Sequence, residues 1–446
     1  MKRVLILWIF LCSLSVINAA EFILKELSFD KNSSEQWIVL PYAFSSDTTG
    51  LTGGAAGIFH GFLQPQMTVV ASAFIGEKID VQKVNALDGE QARTQGAFLA
   101  VTGFRIPYTE RFFLSFMGMN SYYPNQRLYL NGANDSQQNL EPTDPLSATT
   151  PLQTQGWNNW ANLDLRYVLP LGESKNKALP VIEMMRGMPV NRQGIGGGLP
   201  FVTGQTIIGV KPFYQLWSAE KFNPEAQIAT NGVKLYIDHD NTDYPDNPSR
   251  GYSFHIEYTQ DFGLGESTQA WNSIEASYSH YFELPDLQYT RQNVLALDFW
   301  SAYSPSWDKN TDYTRPDGST SSNFDKGQTP MWEGARLGGF NRLRAYDSNR
   351  FNDKAALYGA IEYRIIPQFN PMKDQEWSPI PIMWWQTVLF AEVGRVAPKY
   401  SAELLNDMKY DVGFSIRALA ASVPVRFEMA WGEEGSSMWV MLKQPF

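Results

Sequence analysis

Few side chains in this sequence could do chemistry, and they are widely spread. Four histidines occur, His60, His239, His255 and His280. Catalysis through histidine needs a nucleophile or an acid held beside it. None of the four sits in a recognisable nucleophile or metal motif. Asp238, Asp240 and Asp243 are spaced like the acids of a calcium loop. The EF-hand pattern nevertheless fails, because Asp243 stands at its glycine position and Ser249 at its twelfth. Pro245, Pro248 and Gly251 make this stretch a turn between two strands. Gly194-Ile195-Gly196-Gly197-Gly198 lacks the lysine and the strand–helix setting of a phosphate loop, and reads as a flexible connection. The expectation is a protein that is not an enzyme and holds no metal and no cofactor.

The elements that must carry these residues are strands in a membrane. Lys2 and Arg3 precede an apolar run from Val4 to Ile17, and Ala19 and Ala20 precede a polar segment starting at Glu21. That order predicts a secretory signal peptide over 1–20, removed on export. The run is shorter than the roughly 20 residues that span a bilayer as a helix. Cys12, the one cysteine, leaves with it, so no disulfide or thiolate site is expected. Residues 21–35 follow as a short periplasmic segment, and 36–446 form the remaining domain. The whole chain has 36 basic and 46 acidic residues. Such an acid excess excludes nucleic acid as a partner. Aromatic residues make up 14% of the chain. No later stretch approaches the roughly 18 consecutive apolar residues of a membrane helix. A closed barrel is the other way to satisfy the backbone in hydrocarbon.

The periodicity agrees. Gly251, Ser253, His255, Glu257, Thr259 and Asp261 share one face of a strand, and Tyr252, Phe254, Ile256 and Tyr258 the other. Trp157, Ala161, Leu163, Leu165, Tyr167 and Leu169 oppose Asn158, Asn162, Asp164 and Arg166, with Trp160 as an exception. Leu357, Ile361, Tyr363 and Ile365 oppose Glu362 and Arg364. Period-two alternation over about ten residues suits a tilted transmembrane strand. Strands are predicted near 36–44, 49–62, 66–78, 92–104, 109–122, 156–169, 204–218, 228–239, 250–262, 270–283, 290–303, 355–366, 382–393, 409–418, 421–432 and 436–446. Their number is even, as in single-chain bacterial barrels. With both termini periplasmic, the long links 79–91, 123–155 and 304–354 fall outside and the short turns 63–65 and 105–108 inside. Two links fit less well: 170–203, long and inner, with a helix expected around Lys177 to Arg186, and 45–48, short and outer. The chain ends in Phe446, with Trp439 in the same last strand. A final strand ending in an aromatic residue resembles the signal that marks barrels for insertion.

Four segments in order resemble the BamA/TamA family of outer-membrane assembly proteins. Gly338 and Gly339, a short spacer, and Leu343-Arg344-Ala345-Tyr346 resemble the signature of that family's long sixth outer loop. The family has a glycine where Ala345 stands, which puts the local loop geometry in question. Arg350-Phe351 and Leu357 to Arg364 resemble the strand after the loop. Leu389-Phe390-Ala391-Glu392-Val393-Gly394 resembles the motif of the next strand. Tyr236-Ile237-Asp238, with Asp246-Asn247-Pro248-Ser249-Arg250-Gly251, resembles the turn between strands eight and nine. The resemblance covers about 228–446. It implies an all-β protein: a 16-stranded antiparallel transmembrane β-barrel, in the outer membrane of a Gram-negative-type bacterium, with the sixth loop folded into the lumen. It also implies that Arg344 meets Glu392, with Phe390 beside the pair. Alternation agrees, since Gln386, Val388, Phe390 and Glu392 share one face and Trp385, Thr387, Leu389, Ala391 and Val393 the other.

Relatives insert or translocate other proteins through a weak seam between the first and last strands, and carry periplasmic POTRA domains. Residues 21–35 are too few for one, so the expectation is a barrel-only member. Its partners would be outer-membrane lipid, other outer-membrane proteins or a separate periplasmic protein. Pro41 and Pro445 interrupt the two seam strands, which favours a weak seam. The alternative is a transport or structural barrel, a plugged channel that keeps the fold without insertase activity.

Overall fold

The computed structural model describes residues 10–12, 29–30, 36–46 and 49–446, apart from 82–89, 131, 133–150, 193–194, 219–226, 286, 316, 372–381 and 421–422. Most of the expected leader thus lies outside the described residues, as do 21–28 and 31–35 of the segment after it.

Sixteen antiparallel strands form the wall: β1 (Gln36–Ser46), β2 (Gly50–His60), β3 (Thr68–Asp80), β4 (Gln91–Arg105), β5 (Phe112–Leu128), β6 (Leu152–Val168), β7 (Gln205–Trp217), β8 (Ile228–Thr242), β9 (Gly251–Asp261), β10 (Trp271–Glu283), β11 (Thr290–Tyr303), β12 (Ala355–Pro367), β13 (Ile382–Ala397), β14 (Lys409–Ala420), β15 (Val423–Gly432) and β16 (Gly435–Leu442). Each pairs with its sequence neighbour, β6 with β7 included. At the seam, Phe10–Cys12 pairs in parallel with Ala43–Ser45 of β1 and lies against β16. Among the described residues, no helix is long and apolar enough to cross a membrane.

The alternation has a physical outcome. Ile256, Phe299, Ile361, Leu389, Val412 and Trp431 are exposed on the outer surface. Their strand neighbours Glu257, Asp298, Glu362, Gln386, Asp411 and Glu428 are buried in the lumen. Lipid solvates the apolar face, and polar groups must satisfy one another inside. Trp160 breaks the pattern because it fills the lumen, packing with Met117 and Met119 of β5.

Two sequence expectations need correction. No helix forms around Lys177 to Arg186: Val181–Ile182 is extended, and Met184–Met185 pairs with Met188–Pro189 as a hairpin. Pro180 and Pro189 flank this stretch, and a proline has no N–H to give a helix. The last strand ends at Leu442 and does not reach Phe446. Lys443 has φ 66, which turns the chain off the wall, and Pro445 could not donate to a ladder there.

Candidate functional site

The link between β11 and β12 begins with an outer hairpin, Asp308–Thr314 against Thr320–Lys326. It then drops into the lumen, where Arg336–Leu337 pairs with Phe351–Asn352. Gly338 and Gly339 sit at φ 104 and 110. A Cβ on Gly338 would meet the Asp347 carbonyl oxygen at 2.3 Å, so the reversal depends on glycine. The tip that follows carries Arg344.

Arg344 is fully buried and binds three carboxylates. Its Nε donates to Glu392 at 3.1 Å, Nη1 to Glu428 at 2.8 Å and Nη2 to Glu362 at 3.0 Å. Its backbone N–H donates to the second Glu392 oxygen at 2.7 Å. The guanidinium lies 3.5 Å from the Phe390 ring centroid. Burial opposes the charge, but Glu392, Glu428 and Glu362 outweigh it and hold the guanidinium well above its ordinary pKa. Further cations share the acids. Arg417 reaches Glu362 at 2.8 Å and Glu428 at 3.1 Å, Arg364 reaches Glu362 at 2.8 Å, and Arg426 reaches Glu428 at 2.6 Å. Glu362, Arg364, Arg417, Arg426 and Glu428 come from the inward faces of β12, β14 and β15. The sequence signal for them was weak: charged residues two apart in strands that face lipid on their other side.

The other motif residues pack around this cluster. Leu343 is fully buried at φ 53, and its methyl lies where Gly394 leaves room: a Cβ there would meet Leu343 at 3.4 Å and Leu337 at 2.8 Å. Leu343, not Ala345, takes the left-handed conformation. Ala345 donates its N–H to Asp411 at 2.8 Å. Its methyl faces Gly432, on which a Cβ would lie 3.1 Å from it. The methyl that replaces the family's glycine is thus accommodated by a glycine opposite. Tyr346 donates to the Tyr410 carbonyl at 3.1 Å. Trp439 faces the lumen and donates to the Arg344 carbonyl at 2.7 Å.

The turn residues divide. Asp238 lies inside β8 and binds His255 at 2.6 Å, away from the turn. Asp240 holds Thr242, and Asp243 accepts from Ser249 and Arg250, so the three closely spaced acids face separate protein partners. Asp246 accepts from Tyr244 at 3.1 Å. Asn247 reaches into the lumen, donating to Gln292 and accepting from Gln386 at 2.9 Å each. Pro248 is buried beside it. Arg250 donates to the Ile195 carbonyl at 2.7 Å. Gly251 has φ 96, where a Cβ would strike the Asn241 carbonyl oxygen.

The C-terminal residues join the same interior. Gln444 donates to Asn247 at 3.3 Å and Gln386 at 3.2 Å. Arg364 donates to the main-chain oxygen of Phe446 at 3.2 Å and lies 4.9 Å from its ring centroid. What this arrangement can do is mechanical: it locks a loop and a chain end to the β12–β15 wall, beside the seam.

Residues 215–436 match the model of the Omp85 superfamily domain. No curated protein matches the chain in sequence. Among solved structures, CdiB from Escherichia coli matches at TM-score 0.52 and 8% identity, over 93% of this chain and 68% of that one. CdiB from Acinetobacter baumannii matches at 0.50 and 12%, over 92% of this chain and 59% of that one. BamA from Haemophilus ducreyi lacking POTRA domains 1-3 matches at 0.45 and 12%, over 92% of this chain and 70% of that one. The chain therefore spans between 59% and 70% of the length of these chains.

Proposed function

We propose that this chain, whose residues 215–436 match the Omp85 superfamily domain, is an outer-membrane barrel that assists the insertion or translocation of other outer-membrane proteins, working at the seam between β1 and β16. The observation that carries this reading is the inward turn at Lys443. It leaves an eight-residue β16 opposite an eleven-residue β1. The fifteen ladders within the wall each register at least eight residue pairs, the β15–β16 ladder having the fewest. At the seam β16 and β1 stand as neighbours that close the wall, and Phe10–Cys12, part of the expected leader, also pairs there with three residues of β1. An edge left short in lipid exposes unpaired backbone groups, which is costly and disposes it to accept another strand. Arg344 and its acids support this, because they brace the β12–β15 wall while the seam stays free to separate.

A second reading is a plugged transport barrel. A lumen cavity of about 190 Å³ lined by Ser277, Phe340 and Asn341 favours it. Disulfide trapping in the native outer membrane separates the two. One cysteine is placed in Trp37–Phe44 and one in Met438–Leu442, in a chain lacking Cys12. Bridging confined to one end of the seam, or capture of another barrel's strand, supports assembly. Bridging along both strands in one fixed register rejects it in favour of transport.

A further inference from the structure

The long connection between β6 and β7 crosses the mouth of the barrel. Ala178 packs at its base against Phe113 of β5 and Val168 of β6. Gly187 and Met188 lie on the far side: Trp384 of β13 donates to the Gly187 carbonyl at 2.8 Å, and Met188 packs on Ile366, Trp384 and Leu419. Strands six and thirteen are seven apart in a ring of sixteen, so they stand nearly opposite. Nine extended residues reach about 30 Å, enough for one strap to cross between them.

The strap closes a chamber. Pro180 and Ile182 line a cavity of about 190 Å³, with Phe340 and Asn341 of the sixth loop and Ser277 of the wall. Ile182 is buried, while its neighbours Val181 and Met185 are exposed. The two ends of the strap are held differently. At the base, Arg192 donates to the Asp243 carbonyl at 2.7 Å and binds Glu173 at 2.5 Å, and Arg250 donates to the Arg192 carbonyl at 2.9 Å. At the tip, the bonds among the described residues include the one from Trp384 and a long one from Arg291 to the Arg186 carbonyl, 3.4 Å. Charge-assisted bonds are about twice as strong as neutral ones; the base has short ones and an ion pair, whereas the one at the tip is stretched to 3.4 Å, so the tip is the end that releases. Phe29–Asp30 pairs in parallel with Val181–Ile182, which ties the chain ahead of β1 to the strap.

We propose that residues 175–192 are an inner gate, hinged at Arg192 and latched at Trp384, that seals the periplasmic mouth independently of the sixth loop. Tension on the segment carrying Phe29–Asp30 pulls on the latched part. The test is thiol accessibility from the periplasmic side. Ser277→Cys is made with Cys12→Ser, and the protein in lipid nanodiscs is treated with a charged, membrane-impermeant maleimide. Replacing 180–190 by a Gly-Ser linker of equal length should speed labelling at least about tenfold, because the half-buried thiol at 277 lines the cavity behind the strap and the reagent reaches it faster once the strap is gone. Trp384→Phe, which keeps a smaller aromatic ring and drops the donor, should speed it about fivefold; it serves if the linker variant does not fold. Trimming the outer hairpin between Asp308 and Lys326 should leave the rate unchanged. Equal rates with the latch intact and released overturn the gate, as does acceleration by the hairpin trim alone.

Discussion

Replacing Arg344 by alanine should release the sixth loop from the lumen, and the size of the effect can be worked from its partners. Three carboxylates lose a charged donor. Glu362 keeps Arg364 and Arg417, and Glu428 keeps Arg417 and Arg426. Among the described residues, Glu392 keeps the Tyr358 hydroxyl and the backbone N–H of residue 344 as hydrogen-bond donors, but no cation. The cost therefore concentrates on Glu392, a buried carboxylate left without a cation. Removing one partner of a buried pair costs about 3–5 kcal/mol. At about 1.4 kcal/mol per tenfold change, loop opening should rise by roughly two to three and a half orders of magnitude. Hydrogen exchange of the amides from Leu343 to Tyr346, followed by mass spectrometry, reads that opening directly. The double variant Arg344→Ala with Glu392→Gln should recover part of the protection, because the orphaned charge is gone. Protection within threefold of the parent in Arg344→Ala would refute the reasoning, since the tip would then be held by packing of Leu343 and Tyr346 alone. A double variant no better protected than the single one would refute the assignment of the cost to Glu392.

Three further outcomes follow from close contacts. Gly432→Ala should destabilise the barrel by about 1–3 kcal/mol, and Ala345→Gly should rescue it only in part, because a Cβ at 432 also meets Tyr346 at 3.1 Å; urea midpoints of the two single variants and the double one check this. Asn247→Ala leaves the buried Gln292 and Gln386 each short of a partner, which should cost about 1–3 kcal/mol and make the C-terminal residues cleavable by carboxypeptidase. Gly338→Ala places a methyl against the Asp347 carbonyl at positive φ, so the tip should lose its register, seen as faster proteolysis between Leu337 and Arg350.

The sequence alone determined the wall and the chemistry of its two faces. Alternation is a local property: Glu257 between Ile256 and Tyr258, or Glu392 between Ala391 and Val393, separates lumen from lipid without any knowledge of partners. Sixteen strands and their outer and inner links were legible for the same reason, and the motif segments were legible as segments. Tertiary structure decided who meets whom. Glu362 and Glu428 join Arg344 because β12 and β15 bring their inward faces around one loop tip, a contact between residues 84 apart in one case that no local spacing encodes. Ala345 is tolerated because Gly432 stands opposite, again across the chain. The turn at Lys443 removed Phe446 from the wall, since a lumen already lined by Arg364, Gln386 and Asn247 offers the tail partners that lipid cannot. The strap shows the same division: Pro180 and Pro189 argue locally against a helix, but only the closed ring puts Trp384 within reach of Gly187.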